Sequence, residues 1–479
     1  MKNQFLDYGM DPDITEHPAY KDLITPALLA LPSLSLVMKF DDLFDEESGM
    51  WMNSRRRGRQ WERPCSLELI HPDGRPGFQS DAGIRIRGGY SRKPWNCKYS
   101  LRLYFREKYG PRKLRYPLFD DEGVSAFEKL DLRSTQNHSW SFNHSVHATF
   151  NRDLFSRDTQ RDLGRPYTRG RYYHLYLNGV YWGIYQSAER PDSDYAASYL
   201  GGISDDYDVL KRHRSNKGIT ATDGDLELWN RVWDLCVRSF ADDADYLALE
   251  GLDPAGRRDP GKRVLVDIDN LIDYMLIIFF TGNHDAPVSK YTRNKKMNNW
   301  FGIGRRIDRE QGFIFLMHDS EQTLFLEPPF GITVGLHENR VNIADPTQVY
   351  GRKGVKDPAF QMVVTEARQF HPQWLHHRLC DNAKYRARFA TRARELLAPN
   401  GALGAKACIA RFNQRVRELE LAVVAESARW GDILAKKRTE APPLTRDEHW
   451  RSAVALVVER YFPERGPIVI EQLRAAGLY

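Results

Sequence analysis

Short runs of alternating hydrophobic and polar residues dominate the chain between residues 30 and 190. Alternation with a period of two is typical of a β-strand that buries one face. Turn signals such as Pro72-Asp73-Gly74 and Asn178-Gly179 separate these runs, as expected where neighbouring strands form hairpins. The pattern therefore predicts a β-rich N-terminal region.

From about residue 265 onward the hydrophobic spacing becomes that of helices. Hydrophobic residues three and four positions apart predict a buried helix, and they are Ile268, Leu271, Ile272, Met275, Leu276 and Phe279. Asp267 or Asp269 is a candidate N-cap, and Gly282 is a candidate stop signal. Helical spacing returns in residues 375–430 and 448–477, and one face of the first block is formed by Ile409, Phe412, Val416, Leu419 and Val423. The predicted fold class is α+β, with a β-rich lobe, a helical lobe and a cleft between them.

The composition is that of a globular protein. Of the 479 residues, 41% are hydrophobic and 28% are charged, which is enough apolar material for a sizeable core. The chain has 70 Lys and Arg and 64 Asp and Glu, so its net charge is only +6. Because this positive excess is small, no nucleic-acid partner is predicted. The longest apolar run, Tyr274–Phe280, is far shorter than the roughly 20 residues that span a bilayer. The five scattered cysteines include no C-x-x-C pair and are expected to be reduced thiols.

A glycine turn between two predicted strands is the first candidate site. Alternation in Gly83–Arg92 and Lys98–Phe105 places apolar side chains on one face and basic side chains on the other. Two glycines would let the backbone approach an anion, and the basic residues could neutralise phosphate. The residues concerned are Arg87, Gly88, Gly89, Arg92 and Lys98. The alternative is an ordinary hairpin with a solvated basic face.

A second candidate site, Thr281–Pro287, follows the predicted buried helix. A carboxylate held there, as Asp285 would be, can orient a hydroxyl nucleophile and accept its proton. Asn298-Asn299 stands a short distance on, and an amide oxygen is a suitable Mg²⁺ ligand. Taken singly, Asp285 and Asn299 are each more typical of ordinary turn residues.

The third candidate is the apolar segment Gly312–Met317, which runs into His318-Asp319-Ser320-Glu321. Enzymes often place a metal-binding Asp at a strand end, and Mg²⁺ or Mn²⁺ prefers carboxylate oxygen. A strand capped by polar surface residues is the alternative. No second His stands at metal-ligand spacing, so His318 is interpreted as a packing or hydrogen-bonding residue.

The order of these features is a glycine turn, a lysine on the next strand, an Asp after a helix, an Asn, and an Asp after a strand. Kinases share that order: a lysine holds phosphate, one Asp positions the acceptor hydroxyl, and Asn with a second Asp holds metal. The combination points to phosphoryl transfer more strongly than any of its parts.

At these residues the chain resembles the spore-coat-protein-H (CotH) kinase-like family of atypical protein kinases, from about Leu31 to its end. The marks include Trp61-Glu-Arg-Pro, Gly83-Ile-Arg-Ile-Arg-Gly-Gly-Tyr-Ser-Arg, Tyr176-Leu-Asn-Gly-Val-Tyr-Trp-Gly-Ile-Tyr, Glu189-Arg-Pro, Gly282-Asn-His-Asp and His318-Asp-Ser-Glu. The resemblance implies a diverged two-lobed protein-kinase-like fold. Its parts would be a lead-in at 1–30, a β-rich N-lobe at 31–190, a catalytic C-lobe at 191–375 and a C-terminal helical extension at 376–479.

Carried over residue by residue, the resemblance makes Lys98 the nucleotide-phosphate lysine and lays the Arg87–Arg92 turn over the phosphates. Glu189 would lie at the connector between lobes, close to the nucleotide base. The nucleotide-binding residues implied are thus Arg87, Gly88, Gly89, Ser91, Arg92, Lys98 and Glu189.

The resemblance also implies roles in the helical lobe. Asp285 would position the acceptor hydroxyl, and Asp319 and Asn299 would bind metal. Glu321 would support the metal or its waters. The implied cofactors are ATP and either Mg²⁺ or Mn²⁺.

The sequence departs from the family pattern after Asp285. Family members have Asp-Trp-Pro and then Asn-Asn-Trp almost at once, whereas here Val288–Met297 intervenes. We interpret this segment as an insertion that leaves Asn299 as the metal-binding amide; in a true replacement, Ser289 and Lys290 would occupy the asparagine positions. The insertion predicts a preference for acidic substrates, the alternative being a solvated surface loop, because it contains Lys290, Arg293, Lys295 and Lys296.

The sequence leaves the acidic partner of Lys98 open. Asp153 and Asp158 are candidates, because they lie in a polar, helix-like segment, Asn151–Arg161, although either would serve equally in a surface ion pair. The C-terminal block that contains Glu426 is interpreted as an extension without chemistry.

The function predicted is that of an ATP-dependent protein Ser/Thr kinase with an acidic or serine-rich protein substrate. One alternative is a catalytically silent pseudokinase that binds a partner, which the enlarged loop favours and the intact Lys98, Asp285 and Asp319 oppose. AMP transfer on the same fold is another. No signal peptide is recognised, so the chain as it stands is predicted to be soluble and cytoplasmic. An extracellular or cell-surface location is the alternative for a fragment, and the oligomeric state stays open.

Overall fold

The computed structural model describes residues 9–142, 144–213, 218–327, 334–342, 349–350, 355–356, 364–432 and 442–479. The chain divides into two compact units. The first consists of Met1–Asn151, Arg169–Arg190 and Asn413–Ala455, and the second of Arg152–Thr168, Pro191–Phe412 and Leu456–Tyr479. No helix in the described ranges is long and apolar enough to cross a membrane.

Strands are concentrated in the N-terminal part of the chain, as the alternating pattern predicts. The strands, in chain order, are β1 (Ser33–Val37), β2 (Arg63–Ile70), β3 (Phe78–Ile86), β4 (Leu101–Tyr104), β5 (Leu114–Arg115), β6 (Ala126–Phe127), β7 (Lys129–Arg133), β8 (Tyr172–Leu177), β9 (Val180–Ala188), β10 (Tyr207–Arg212), β11 (Ile219–Asp223), β12 (Phe301–Arg305), β13 (Ile314–Leu316), β14 (Val349–Tyr350) and β15 (Val355–Lys356). Seven of them form a closed sheet in the order β1-β2-β3-β4-β7-β9-β8. β8 runs parallel to β1 and completes the ring.

The predicted turns join paired strands. β2 and β3 pair antiparallel on either side of Pro72-Asp73-Gly74. β8 and β9 pair on either side of Asn178 and Gly179, which have φ angles of 50° and 81°. Positive φ at both central residues is what a tight two-residue hairpin requires.

β3 and β4 form the predicted basic hairpin, with Ile86 opposite Leu101. The prediction placed Lys98 on the second strand, but β4 begins only at Leu101. The chain ahead of β4 contains a turn at Tyr90–Arg92, followed by Pro94. Proline cannot donate a hydrogen bond to a neighbouring strand. Lys98 therefore lies in the segment that leads into β4.

Helices make up most of the rest of the chain, and their bounds follow in chain order. They are α1 (Pro12–Thr15), α2 (Ile24–Leu28), α3 (Phe40–Phe44), α4 (Arg152–Asp162), α5 (Ser193–Leu200), α6 (Glu227–Arg238), α7 (Asp243–Leu249), α8 (Ile268–Thr281), α9 (Pro372–Leu379), α10 (Ala383–Leu397), α11 (Ala405–Leu419), α12 (Ala422–Trp430), α13 (Arg451–Ala455) and α14 (Phe462–Ala475). The predicted buried helix is α8, where Asp267 caps the first turn by accepting from Asn270 N at 2.8 Å. It ends at Gly282, which has a φ of 60°. In α11, Phe412 and Leu419 are buried as predicted, whereas Ile409 and Val416 are only half-buried. The fold is thus α+β, with strands concentrated in the N-terminal part and helices in the C-terminal part.

The second unit contains a four-stranded sheet in the order β11-β10-β12-β13. Tyr195 and Ala196 of α5 pack in one apolar cluster with Val209 and Ile303 of this sheet. β12 and β13 pair antiparallel with Phe301 opposite Leu316. The residues just before β12 and those just after β13 therefore leave the sheet at the same end.

Candidate active site

Lys98 lies in a fully buried ion pair. Its Nζ donates to Oε1 of Glu426 at 2.6 Å, and neither side chain is exposed. Burial lowers the pKa of Lys98, and the Glu426 carboxylate opposes that shift. The pair fixes the ammonium group in one position, as the lysine–glutamate pair of protein kinases does.

The close approach of β9 and α12 creates this pair. Oε2 of Glu426 accepts from Ile184 N at 2.6 Å. Gly183 has a φ of 106°, and a Cβ there would lie 2.5 Å from Oε2 of Glu426 and 2.9 Å from Nζ of Lys98. Only glycine suits both the backbone conformation and the space.

Glu426 is therefore the acidic partner that the sequence left open. The two candidates have other neighbours: Asp153 pairs with Arg157 at 2.9 Å, and Asp158 lies 3.5 Å from Arg161. The C-terminal block, interpreted from the sequence as an extension without chemistry, thus supplies the partner of Lys98. One signal was present, because Glu426 is the only acid in the apolar sequence AVVAESARW of α12, and a glutamate is rarely buried unless it is paired.

Arg92 anchors the glycine turn between β3 and β4. Its guanidinium donates to Ser54 O at 3.0 Å and to Arg56 O at 2.7 Å. In return, Ser54 Oγ donates to Arg92 O at 2.8 Å. Since Arg92 is buried, these bonds fasten the turn to the loop that precedes β2.

The two glycines of the turn have different surroundings. Gly88 has a φ of 102°, and a Cβ there would lie 1.9 Å from Ser91 Oγ. At Gly89 no heavy atom lies within 4 Å of the corresponding position. Asn96 Nδ2 donates to Ser91 O at 2.7 Å. The turn thus has a fixed shape and one unobstructed glycine, as a loop approached by an anion needs.

Arg87 and Arg102 share one buried carboxylate, that of Asp131. Arg87 Nε lies 3.0 Å from Oδ2 of Asp131, and Arg102 Nη2 donates to the same oxygen at 2.8 Å. Although burial alone would raise it, the two guanidinium groups hold the pKa of Asp131 well below its ordinary value. Arg85 lies 3.3 Å from Glu62. The alternative of a solvated basic face is wrong, because each of these arginines faces a carboxylate.

Glu189 directly follows β9 and is buried. Its Oε2 accepts from Arg169 N at 2.9 Å and from Arg169 Nη1 at 3.0 Å. The backbone of Glu189 also donates to Arg169 O at 3.1 Å. The carboxylate is therefore fixed at the point where the chain leaves the closed sheet.

Asp285 is the centre of a hydrogen-bonded constellation in the second unit. Its Oδ2 accepts from Asn298 Nδ2 at 3.0 Å and from Asn299 Nδ2 at 2.9 Å, and its Oδ1 accepts from Ser289 Oγ. Arg212 Nη1 donates to Asn298 Oδ1 at 2.8 Å. Three donors therefore hold the carboxylate in one orientation. Sequence reasoning missed Arg212, which no local pattern marks.

The environment of Asp285 raises its pKa to about 6. Burial is the main cause and the nearby charge of Asp319 adds to it, while hydrogen bonds from Ser289 and Asn298 lower it. A carboxylate with this pKa is ionised at neutral pH and still has appreciable proton affinity, as a general base requires.

The Val288–Met297 insertion closes on itself. Its first and last residues form an isolated antiparallel bridge, and Asn298 N donates to Pro287 O at 2.7 Å. Because the two ends of the loop meet, Asn298 and Asn299 return to Asp285. Asn298 and Asn299 thus lie at Asp285, as the interpretation as an insertion expects. Ser289, which the alternative of a replacement places there, also donates to Asp285, so the insertion stays a prediction.

Lys290 is not the exposed cation that the sequence predicted. Its Nζ donates to Oε2 of Glu338 at 2.6 Å, and both side chains are buried. Arg340, also buried, donates to Asn294 Oδ1 at 3.1 Å and to Val288 O at 2.8 Å. The loop uses these groups to anchor itself, so its exposed cations are Arg293, Lys295 and Lys296.

Asp319 follows β13 after Met317 and His318 and has a φ of 54°. Because β13 ends opposite the start of β12, Asp319 and Asn299 leave the sheet at the same end. The charge of Asp319 contributes to the raised pKa of Asp285. The two carboxylates are thus within electrostatic reach of each other.

The donors at this end of the sheet fit a divalent metal that arrives with a nucleotide. Asn299 gives its Nδ2 to Asp285, which leaves its Oδ1 as an acceptor. Across the described ranges, no group of three or more His, Cys, Asp or Glu is arranged to hold a metal alone. Mg²⁺ commonly takes one or two carboxylates and completes its shell with phosphate and water. Asp319 and Asn299 are therefore a sufficient protein contribution.

Helix α4 fixes the main chain ahead of Asp319. The Gln160 side chain bonds to the backbone of β13 as a neighbouring strand would. Its Nε2 donates to Phe315 O at 2.7 Å, and its Oε1 accepts from Met317 N at 3.0 Å. All three residues are buried. The side chain thereby satisfies both hydrogen-bonding groups of this stretch of backbone.

The same helix fixes the main chain after Asp319. Oδ1 of Asp153 accepts from Ser320 N at 2.8 Å, while its Oδ2 pairs with Arg157. Arg152 Nη1 donates to Leu324 O at 2.6 Å. Asp153, considered from the sequence as a partner for Lys98, therefore positions the segment that carries Asp319.

The other predicted residues of this segment are also placed. Glu321 is buried in the turn after Asp319. His318 packs edge-on against the ring of Phe301, with centroids 4.7 Å apart, in agreement with the packing role expected of it.

A protein-family comparison gives the family of the chain. The sequence model of a family described as CotH kinase protein matches residues 84–446, which is most of the chain. No curated protein matches the sequence. The chain therefore belongs to the CotH kinase protein family, which supports a kinase-like phosphotransferase function and implies ATP and a divalent metal.

Proposed function

We propose that this member of the CotH kinase protein family is a protein Ser/Thr kinase that transfers the γ-phosphate of ATP in the presence of Mg²⁺ or Mn²⁺. The observation that carries the proposal is the set of three donors on Asp285, two of them from the asparagines beyond the insertion. A diverged two-lobed kinase-like fold, with the lobes bounded as the sequence predicts, is part of the same proposal.

Asp285 would act on the acceptor hydroxyl. With its orientation fixed and its pKa near 6, the carboxylate can accept the hydroxyl proton as the oxygen bonds to the γ-phosphorus. The bond between the γ-phosphorus and its bridging oxygen breaks in the same displacement, and ADP leaves. Catalysis then consists mainly of positioning and charge neutralisation.

Lys98 would hold a phosphate of ATP, with the glycine turn over the phosphates. The Glu426 pair keeps the ammonium group in place, and Gly89 leaves open space for an anion. Glu189 would lie close to the nucleotide base. Arg87 and Arg92 would act by shaping the turn, because Arg87 faces Asp131 and Arg92 bonds to main-chain carbonyls.

Asp319 and Asn299 would hold the metal, supported by Glu321. A divalent cation bound there neutralises phosphate charge in the transition state. The hydrogen bonds from Gln160 and Asp153 of α4 hold the main chain on both sides of Asp319 in place for that role.

A pseudokinase is the less favoured alternative. The enlarged loop was the argument for it, yet the loop closes on itself and returns both asparagines to Asp285. AMP transfer on the same fold is the other alternative, and its test is the identity of the group transferred.

Intact-mass measurement of the chain and of casein after incubation with ATP and Mg²⁺ or Mn²⁺ tests the proposal. Addition of phosphate supports it, and addition of AMP contradicts it. If no transfer is observed, a thermal-shift assay with ATP, with and without metal, measures nucleotide binding. Binding of nucleotide without transfer indicates a pseudokinase. Asp319→Asn is the control for metal, and transfer undiminished in that variant contradicts the assigned role.

A further inference from the structure

The loop before β2 carries a dense group of arginines, Arg55, Arg56, Arg57 and Arg59, which we call the arginine cluster. All four side chains are exposed. Within the part of the chain that the structure describes, no carboxylate lies at ion-pair distance from any of them. Four cations in five positions without a counter-ion repel one another, so an anionic partner would be favoured there.

Two neighbouring carboxylates, Glu62 and Asp42, are already paired. Glu62 lies 3.3 Å from Arg85, 3.0 Å from Arg106 and 3.5 Å from Lys108. Asp42 lies 3.3 Å from Arg63. Glu46 and Glu47 are exposed near Asn53, which donates to their carbonyls, but among the described residues neither forms an ion pair with the arginine cluster. No direct ion pair therefore neutralises the cluster.

The cluster has a fixed position because Arg92 holds its backbone. The buried guanidinium of Arg92 bonds to the carbonyls of Ser54 and Arg56, and Ser54 Oγ bonds back to Arg92 O. Gln60 Nε2 also donates to Arg57 O at 3.0 Å. The backbone of the arginine cluster is thus fastened to the glycine turn.

The glycine turn adds an exposed aromatic pair beside this anchor. Tyr90 is 53% exposed and Trp95 is 49% exposed, with ring centroids 6.4 Å apart. Lys93 Nζ lies over both rings, at 5.9 Å and 5.2 Å. Trp, Tyr and Arg are the residues that most often dominate protein interfaces, and here exposed residues of all three types lie on the glycine turn, just after it, and on the loop bonded to it.

We propose that the arginine cluster, with Tyr90 and Trp95, docks a carboxylate-rich segment of the protein substrate. Arginine binds carboxylates through paired N–H groups, and the aromatic rings offer apolar contact to side chains of the same segment. An acidic polypeptide fits better than a nucleic acid, because the charged site spans only five positions in a chain whose net charge is +6. The proposal rests on the proposed function for its substrate, but its test does not require catalysis.

The test is fluorescence anisotropy with the full chain carrying Asp285→Asn, so that binding is measured without turnover. The probes are labelled peptides of equal length with repeated Glu-Gly, Gln-Gly or phosphoserine-Gly, and a labelled single-stranded RNA. The cluster variant is R55Q/R56Q/R57Q/R59Q. The control variant removes the same charge at other exposed, unpaired positions, K21Q/R231Q/K406Q/R417Q.

The proposal expects the Glu-Gly peptide to bind, and the cluster variant to lose about tenfold or more in affinity. The control variant should lose less than about twofold, and binding should weaken with salt. Equal losses in both variants, tighter binding of RNA, binding of only the phosphoserine peptide, or no binding would each overturn it. In the active chain, the cluster variant should raise KM for a serine peptide with an acidic extension and leave kcat unchanged. A kinase whose KM does not respond overturns the docking site alone and leaves the proposed function intact.

Discussion

The amide of Asn299 donates to the carboxylate of Asp285 at 2.9 Å, across an insertion that separates the two residues in the sequence. The loop achieves this because its ends pair with each other while Lys290 anchors it to Glu338. Two residues 14 positions apart in the chain are therefore in contact in space. The proposed general base and metal ligand depend on that contact.

Transfer should depend on pH through Asp285. Its pKa is raised to about 6, so the base is ionised above that value and protonated below it. We expect kcat/KM to rise with pH through a midpoint near 6 and to level off by about pH 7.5. Steady-state kinetics between pH 5 and 8 measure this, and a flat profile in which binding is unchanged would count against Asp285 as the base.

Ser289→Ala should shift that profile to higher pH. The hydroxyl of Ser289 stabilises the ionised carboxylate and lowers its pKa. Without this donor the midpoint should rise by about 0.5–1 pH unit. A simple loss of folded protein would lower the plateau without moving the midpoint, so a fixed midpoint would refute the assignment.

Asp285→Asn should remove transfer and stabilise the fold. The raised pKa means that the ionised group disfavours folding once the pH passes the unfolded value near 4, and this penalty is complete above about pH 6. At pH 8 the variant should gain about 1–3 kcal/mol in the free energy of unfolding. Urea denaturation at pH 8 and at pH 4 checks the sign, because the gain should vanish at the lower pH.

Glu426→Gln should weaken ATP binding and destabilise the first unit. The change leaves the Lys98 ammonium buried without its carboxylate, at a cost of about 3 kcal/mol. We expect KM for ATP to rise at least about tenfold. Glu68→Gln, at an exposed position on β2, is the matched control. Similar behaviour of the two variants would show that the pair does not hold the lysine for nucleotide.

Gly183→Ala should disturb the same pair from the other side. The added Cβ would come within 3 Å of both Glu426 and Lys98, at a residue whose φ of 106° already disfavours alanine. ATP affinity and stability should both fall, by amounts comparable to those of Glu426→Gln. Gly466→Ala, in α14 and with no atom within 4 Å of the new Cβ, should leave ATP affinity unchanged and should not lower stability. Calorimetry with ATP compares the two.

Asp153→Ala should weaken metal binding, because Asp153 holds the segment that contains Asp319. Loss of the acceptor for Ser320 N frees the backbone that presents the metal ligand, so the metal concentration for half-maximal rate should rise several-fold. Asp121→Ala, at an exposed position, controls for the loss of a carboxylate. A lower rate with unchanged metal dependence would indicate a merely structural role for Asp153.

The sequence predicted the features that depend on nearby residues. The alternation around Ile84 and Leu103, the turn at Asn178-Gly179 and the caps of α8 are set by local backbone preferences, and the structure has them. The order of Lys98, Asp285, Asn299 and Asp319 along the chain also led to the right family.

The contacts that the sequence could not provide join distant segments. Glu426 is 328 positions from Lys98, and periodicity predicts only that α12 is buried, not what its one acid meets. The same holds for Asp153, where Ser320 is 167 positions away. Lys290 was expected in solvent because charge alone cannot foretell a buried carboxylate such as Glu338. Tertiary packing decides these partners.

The most direct test of the proposed kinase activity is transfer of label from γ-labelled ATP to casein and to the chain itself, with Mg²⁺ or Mn²⁺, for the wild-type protein and for Asp285→Ala and Asp319→Ala. We expect transfer by the wild type and its loss in both variants, each still folded by circular dichroism. Transfer that persists in either variant, or label that arrives only from α-labelled ATP, would contradict it.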